Sequence, residues 1–339
     1  MSARTFAVAD AVELAVVERS GFIESRHAGS AVLLDPTGAP ALALGAIDEP
    51  VLVRSTLKPL QAIASMRMGA DLQGEAAALA TASHRAEQRH IDVVTDMLRS
   101  VGLDETALRC PSTPPGDRAT REARTRAGHR RSPLHFNCSG KHAAFLMAAV
   151  AGGHDTEAYL EPSHPVQQEV EAVIREYTGG PSQAVGTDGC GAPVHALTLR
   201  ALAAGVAPVA QRRDALATRL MDAVLAHPWG IEGEGRPNST VIAELGIFAK
   251  FGAEGVMVMA TPEGWSVAVK CLDGSSRATT AVALGLLAAA GAVDADSADR
   301  LAARLTDPVT GGIDAAGEPR IVGAVRLGES VARVRENGL

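Results

Sequence analysis

The sequence predicts an α+β fold in which an antiparallel sheet is formed by N- and C-terminal segments, with a helical lobe between them. Three observations carry this. Strand-like runs with turn signals fill the first fifty residues; a hairpin pattern recurs at 256–272; and the stretch from roughly 55 to 250 is mostly helical in its periodicity and end signals. The 339 residues are enough for a substantial core, read as a single domain over 1–339 with two lobes.

In order along the chain, Val12–Val17, Ser30–Leu34 and Ala41–Leu44 read as strands, the last two joined by the turn signal Asp35-Pro36-Thr37-Gly38. Arg54-Ser55 opens a helix to about Met68, with Pro59 in its first turn and Gly69 after its end. Glu75–Ala82 and Glu87–Val101 are further helices, with Ser83-His84 near the end of the first. Pro111–Pro133, rich in proline and carrying Arg118, Arg121, Arg124, Arg126, Arg130 and Arg131, reads as a solvated connection with one helical turn. Gly140–Val150, Pro165–Tyr177, Pro193–Ala204 and Arg213–Leu225 read as helices. Val256–Ala260 and Trp265–Leu272 form a hairpin around Thr261-Pro262-Glu263-Gly264, and Arg277–Ala290 is an apolar, buried helix.

Composition narrows the function. A formal net charge of −7 argues against a broad nucleic-acid surface. The first twenty residues lack an apolar run behind a basic flank, and Ala278–Val293 is too short for a membrane span, so a cytoplasmic protein without membrane or nucleic-acid partners is expected. Aromatics make up only 3%, leaving the core to Ala, Val and Leu. Without an export signal, Cys110, Cys138, Cys190 and Cys271 are expected as thiols or metal ligands rather than disulfides.

The most informative local pattern is Ser55-Thr56-Leu57-Lys58. Residues three apart share a helix face, so the amine can lie beside the hydroxyl. A serine hydroxyl needs a neighbouring base to become a nucleophile, and a desolvated lysine is neutral enough to serve. Ser83 supplies a second hydroxyl, which as a bare pattern is a helix-end serine. Lys270 sits mid-strand on the Ser266/Ala268 face, which as a bare pattern faces solvent. Asn137-Cys138-Ser139-Gly140-Lys141-His142 and Thr187-Asp188-Gly189-Cys190-Gly191 are loop-to-helix junctions, each placing a thiol near a helix N-terminus. Two cysteines plus a nitrogen or oxygen ligand could hold zinc; two buried thiols in tight turns are the plain alternative. Arg236 could clamp a carboxylate or be a surface-loop residue.

Taken together, Ser55-x-x-Lys58, Ala82-Ser83-His84, Asn137-Cys-Ser-Gly-Lys-His142, Asp188-Gly-Cys-Gly191, His227-Pro228 through Gly235-Arg236, Gly252-Ala-Glu-Gly255 and Lys270 before Asp273-Gly274 resemble the Rhizobium etli-type L-asparaginases. The resemblance covers nearly the whole chain. It implies a fold similar to serine β-lactamases and glutaminases, and hydrolysis of L-asparagine to L-aspartate and ammonia through an acyl-enzyme. It implies Ser55 as nucleophile with Lys58 as base, and Ser83 with Lys270 as a second pair, leaving open which pair attacks first. Asp188 would hold the substrate's amino end, with Arg54, His142 and Arg236 also at the substrate. Cys138, Lys141 and Cys190 would surround one zinc ion per subunit of a homodimer. Where penicillin-recognising enzymes carry Ser-x-Asn and Lys-Thr-Gly, this chain has Ser83-His84-Arg85 and Lys270-Cys271-Leu272, so β-lactam chemistry is not expected. The alternatives are a Ser-Lys amidase for glutamine or another amide, and a non-catalytic zinc-binding protein of the same fold.

Overall fold

The computed structural model describes residues 4–128 and 131–339; Arg130 of the basic stretch lies outside them. In chain order the strands are β1 (Val12–Arg19), β2 (Phe22–Leu34), β3 (Pro40–Leu44), β4 (Val51–Leu52), β5 (Ala184–Thr187), β6 (Pro193–Leu197), β7 (Phe248–Gly252), β8 (Val256–Ala260), β9 (Ser266–Cys271), β10 (Val309–Ile313) and β11 (Pro319–Leu327). The α-helices are α1 (Lys58–Arg67), α2 (Gly74–Ala80), α3 (Gln88–Arg99), α4 (Arg118–Arg126), α5 (Ser139–Ala151), α6 (Pro165–Thr178), α7 (Leu199–Ala210), α8 (Ala215–Ala226), α9 (Pro237–Leu245), α10 (Thr279–Ala289), α11 (Ala295–Leu305) and α12 (Glu329–Asn337). The chain divides into two compact units. One comprises residues up to Leu52, Leu197–Ala207 and Lys250–Leu339; the other comprises Val53–Ala196 and Pro208–Ala249.

The first unit is built on a sheet in the order β10-β11-β1-β2-β9-β8-β7, with β3 also on β2. The expected α+β class holds, and both chain ends share this sheet: β1 pairs antiparallel with β11, and β2 with β9. Every residue of β8 and β9 is buried, because helix α10 covers one face with Val282, Leu284, Leu286 and Leu287 fully enclosed. Lys270 is therefore not on a solvent face, as its strand pattern suggested; it is 7% exposed. Gly29 makes the β2–β9 contact possible, since a Cβ there would meet the Lys270 carbonyl oxygen at 2.0 Å. Strands β10 and β11 and helices α11 and α12 are not among the elements expected from the sequence, although α11 is amphipathic and Asp294 caps it by accepting from Ser297 N.

The second unit is helical around α5, whose residues Ser139–Ala149 are all buried. Helices α1, α2, α3 and α6 pack against it. Helix α6 begins and ends as expected: Pro165 occupies the first turn, the His164 side chain accepts from Val166 N, and Gly179 closes it at φ 80°. Pro111–Pro133 holds more helix than foreseen, the nine residues of α4 capped by Asp117. The segment Pro193–Ala204 corrects the sequence reading more sharply. It is not one helix but strand β6, paired with β5, followed by α7. Pro193 was taken as a helix-start signal, but Val194-His195-Ala196-Leu197 is a short buried run, which periodicity alone cannot assign.

Candidate active site

Ser55 and Lys58 do not share one α-helix. Ser55 lies on a 3-10 turn, Arg54–Leu57, that feeds directly into α1 at Lys58. The tighter turn still brings positions three apart onto one side. Arg54 has φ 50°, a left-handed conformation uncommon for a residue with a side chain. The turn is tied down by Thr56 N to Val53 O (3.2 Å) and by Val53 N to His195 O (3.1 Å) on β6.

Ser55 is half-buried and Lys58 is 1% exposed. The Lys58 amine donates to the Ala82 carbonyl and to Ser83 Oγ at 3.1 Å. Within the helical unit, then, Lys58 stands beside Ser83 as well as one turn from Ser55. Ser83 leaves α2 in an extended segment held by Ser83 N to Ile231 O (2.8 Å) and His84 N to Asn137 O (3.2 Å). The second bond draws the start of α5 toward Ser83. Gly140 permits the approach, since a Cβ there would lie 2.2 Å from the Leu79 carbonyl oxygen.

That junction brings Cys138 and Lys141 beside Lys58. Cys138 Sγ donates to Asn137 Oδ1 at 3.2 Å, Lys141 Nζ donates to Cys190 Sγ at 3.1 Å, and Asp188 Oδ2 lies 3.8 Å from the Cys190 sulfur. The electrostatics divide like groups into unlike states. Burial pulls Lys58 below the usual lysine value, and the Lys141 charge adds to the effect against opposition from Cys138. Burial acts the same way on Lys141, but the two sulfurs outweigh it and hold its ammonium. The Cys190 thiol beside it, with the Lys58 and Lys141 charges, holds Cys138 well below the ordinary thiol value despite burial. The Cys138 sulfur, together with burial, pushes Cys190 up. Lys58 is thus lowered where Lys141 is raised, and Cys138 is lowered where Cys190 is raised.

Asp188 pairs with Arg54, Nε to Oδ1 at 2.7 Å. Burial disfavours its charge, but Lys141, Arg54 and the Gly189 N–H outweigh that and keep the carboxyl below its usual range. Arg54, Ser55, Leu57, Lys58, Gln61, Lys141, Asp188 and His195 line one small cavity with about 10 Å³ of free space, on the order of one water. Gln61 and His195 were not singled out in the sequence. Gln61 carried a usable signal, lying another three residues beyond Lys58; His195 was hidden by the misread strand.

His142 and Arg236, also expected at the substrate, do not line this cavity. His142 is fully buried inside α5, its Nδ1 2.6 Å from Tyr159 OH. Arg236 pairs with Glu232 at 3.4 Å. Lys270 belongs to the sheet unit, where its amine donates to the main-chain oxygens of Glu254 (2.5 Å) and Cys271 (2.6 Å). Among the described residues, no group of three or more His, Cys, Asp and Glu side chains is gathered as a metal site. A zinc ion at Cys138 and Cys190 would take Lys141 as its nitrogen ligand, and two adjoining sulfurs with an amine suit that ion's preference for sulfur and nitrogen.

A sequence profile described as L-asparaginase II matches residues 15–321. The chain belongs to the L-asparaginase II family. No curated protein matches the sequence. Among solved structures it is similar to Mglu in its native form (15% identity, 75% of this chain and 62% of that chain, TM-score 0.43). It is also similar to Mglu in its glutamate form (14%, 84% and 63%, TM-score 0.44), and to a β-lactamase-like protein from Bacteroides dorei (15%, 71% and 84%, TM-score 0.39). The chain spans about six tenths of the length of these Mglu structures, and likenesses this distant do not bear on activity. Among the described residues no helix is long and apolar enough to cross a membrane.

Proposed function

We propose that this L-asparaginase II family member hydrolyses the side-chain amide of L-asparagine to L-aspartate and ammonia, with Ser55 as nucleophile and Lys58 as its base. The observation that supports this most directly is the buried Lys58 amine, lowered in basicity, one turn from Ser55 and 3.1 Å from Ser83 Oγ. Ser55 Oγ bonds to the amide carbon as its proton passes to Lys58. The carbonyl π electrons move onto oxygen, where Lys141 and Arg54 provide positive charge. Collapse breaks the C–N bond, and the proton returns through Lys58 and Ser83 to the departing amine, which leaves as ammonia. Water then adds to the ester, gives its proton to Lys58, and releases aspartate and Ser55.

Asp188 is the natural partner for the substrate's α-ammonium, and Arg54 for its α-carboxylate, so their mutual ion pair opens as the zwitterion enters. Zinc held by Cys138, Cys190 and the neutral Lys141 amine would supply positive charge at the pocket in place of the Lys141 ammonium. A homodimer completes the proposal, and light scattering of the purified protein tests it. Ser55→Ala is the decisive variant: ammonia release from asparagine falls at least about a thousandfold with an unchanged melting temperature. Retained turnover overturns the serine route. A faster release from glutamine than from asparagine moves the substrate to the longer amide.

A further inference from the structure

His195 borders two spaces at once: the nucleophile cavity, with Ser55 and Lys58, and a surface groove lined by Glu171 and Thr187. Its carbonyl accepts from Val53 N at 3.1 Å, two residues before Ser55, so β6 is tied to the turn that carries the nucleophile. The residue is 3% exposed. Its Nδ1 lies 2.9 Å from Ser182 Oγ and 3.4 Å from Glu171 Oε2. Its Nε2 is enclosed and has no hydrogen-bond partner among the described residues. Buried polar atoms are rarely left so.

The partners of Nδ1 show which ring nitrogen carries the hydrogen. Ser182 Oγ donates to Glu171 Oε2 at 2.6 Å, and Ser182 N donates to Glu171 Oε1 at 2.9 Å. Burial opposes the Glu171 charge, but the bonds from His195 and Ser182 outweigh it and bring the carboxyl down to about 2. Glu171 is therefore an acceptor only, and the single hydroxyl hydrogen of Ser182 is spent on it. Ser182 Oγ then accepts from Nδ1–H, which leaves Nε2 of the neutral ring a bare lone pair. The two nitrogens point to opposite sides of the ring. Nδ1 turns toward Glu171 on the groove side, so Nε2 turns toward the nucleophile cavity, whose free space of about 10 Å³ is on the order of one water. The other acceptor on those walls, Asp188, is already engaged by Arg54 Nε at 2.7 Å and Gly189 N at 2.8 Å.

We propose that His195 orients the hydrolytic water: its Nε2 accepts one O–H of the water that attacks the aspartyl ester on Ser55. The inference rests on the acyl-enzyme reading above. The water oxygen bonds to the ester carbon while its other O–H gives its proton to Lys58. Collapse breaks the bond from that carbon to Ser55 Oγ, which takes the proton back from Lys58. The hydrogen held by Nε2 stays on the water oxygen and leaves with the new carboxyl group. Attack on the amide uses no water, so His195 serves the second half of the reaction alone.

Two variants divide the ring. His195→Asn keeps a donor at the Nδ1 position and removes Nε2; His195→Gln keeps an acceptor at the Nε2 position and removes Nδ1. Expected for His195→Asn is hydrolysis of the aspartyl-enzyme slowed about tenfold. Acid quenching at saturating L-asparagine, read by mass spectrometry, then traps more acylated Ser55 than in wild type; kcat falls, and kcat/KM for ammonia release holds. His195→Gln recovers most of the loss. A ring that merely tied Ser182 to β6 would give the reverse order of the two variants, and that result overturns the inference. So does an acylated fraction in His195→Asn no higher than in wild type. Nitrogen NMR of the wild-type ring at neutral pH should find Nδ1 carrying hydrogen and Nε2 bare; hydrogen on Nε2 overturns the inference whatever the variants do. Ammonia release retained by Ser55→Ala refutes the acyl-enzyme reading itself; a Ser55-dependent enzyme indifferent to His195→Asn refutes this inference alone.

Discussion

Lys58 in the helical unit and Lys270 in the sheet unit are both buried, and their surroundings differ. Both are lowered in basicity by burial first. Around Lys58 the neighbours are another cation, Lys141, two thiols and a serine hydroxyl at 3.1 Å. Around Lys270 the charged neighbours are the carboxylates of Glu254 and Asp273, and the amine donates to two main-chain oxygens. Carboxylates favour the ammonium; a neighbouring ammonium favours the free amine. The comparison teaches that burial alone does not make a base. Beside Lys58 a second cation, Lys141, works with burial against the raising effect of Cys138, whereas every charged neighbour of Lys270 opposes burial.

Variants can break that comparison. Lys58→Met should have the largest effect, lowering kcat about a thousandfold, measured by ammonia release; near-normal turnover would show that Lys58 is not the base. Lys270→Met should cost less, about tenfold to a hundredfold, because an amine held toward main-chain oxygens by nearby carboxylates is a poorer proton acceptor. If the two losses are equal, the electrostatic contrast has no catalytic meaning. Cys138→Ala and Cys190→Ala should each abolish bound zinc by elemental analysis, and an unchanged metal content would place the ion elsewhere.

Acid should distinguish the units more gently. His90 is fully enclosed in α3, its ring 5.1 Å from that of His84 and its Nδ1 accepting from Glu87 N. Burial pushes His90 down to about 4 from 6.5, and burial with the neighbouring His90 and Lys58 charges lowers His84 strongly too. Between those values the unfolded chain binds the proton and the folded chain does not, so stability falls as pH drops from 6.5 toward 4 and His90 contributes no further loss below that. For His90 the loss is about 3 kcal/mol across the window. Calorimetry should show His90→Gln flattening this dependence; an unchanged slope would assign the acid sensitivity to other groups.

Much of this was legible in sequence. Ser55, Lys58, Cys138, Lys141 and Cys190 stood out because serine, lysine and cysteine in such spacings and turn contexts are recognisable, and the family profile covers residues 15–321. The strand pairs around Asp35-Pro36 and Thr261-Pro262 were readable because turn residues punctuate them. Strand β6 was not, because five buried residues carry no period that separates strand from helix. With it went His195.

The order of elements and the identity of the reactive groups were thus fixed locally, by turn chemistry, periodicity and side-chain type along the chain. Which lysine is buried beside a serine hydroxyl and which thiol meets a lysine amine were decided only by tertiary structure. Those properties belong to distances between residues far apart in sequence, such as Lys58 with Ser83 and Lys141 with Cys190. Electrostatic and hydrogen-bond energies depend on such distances and on burial, and neither is written in any single stretch of chain.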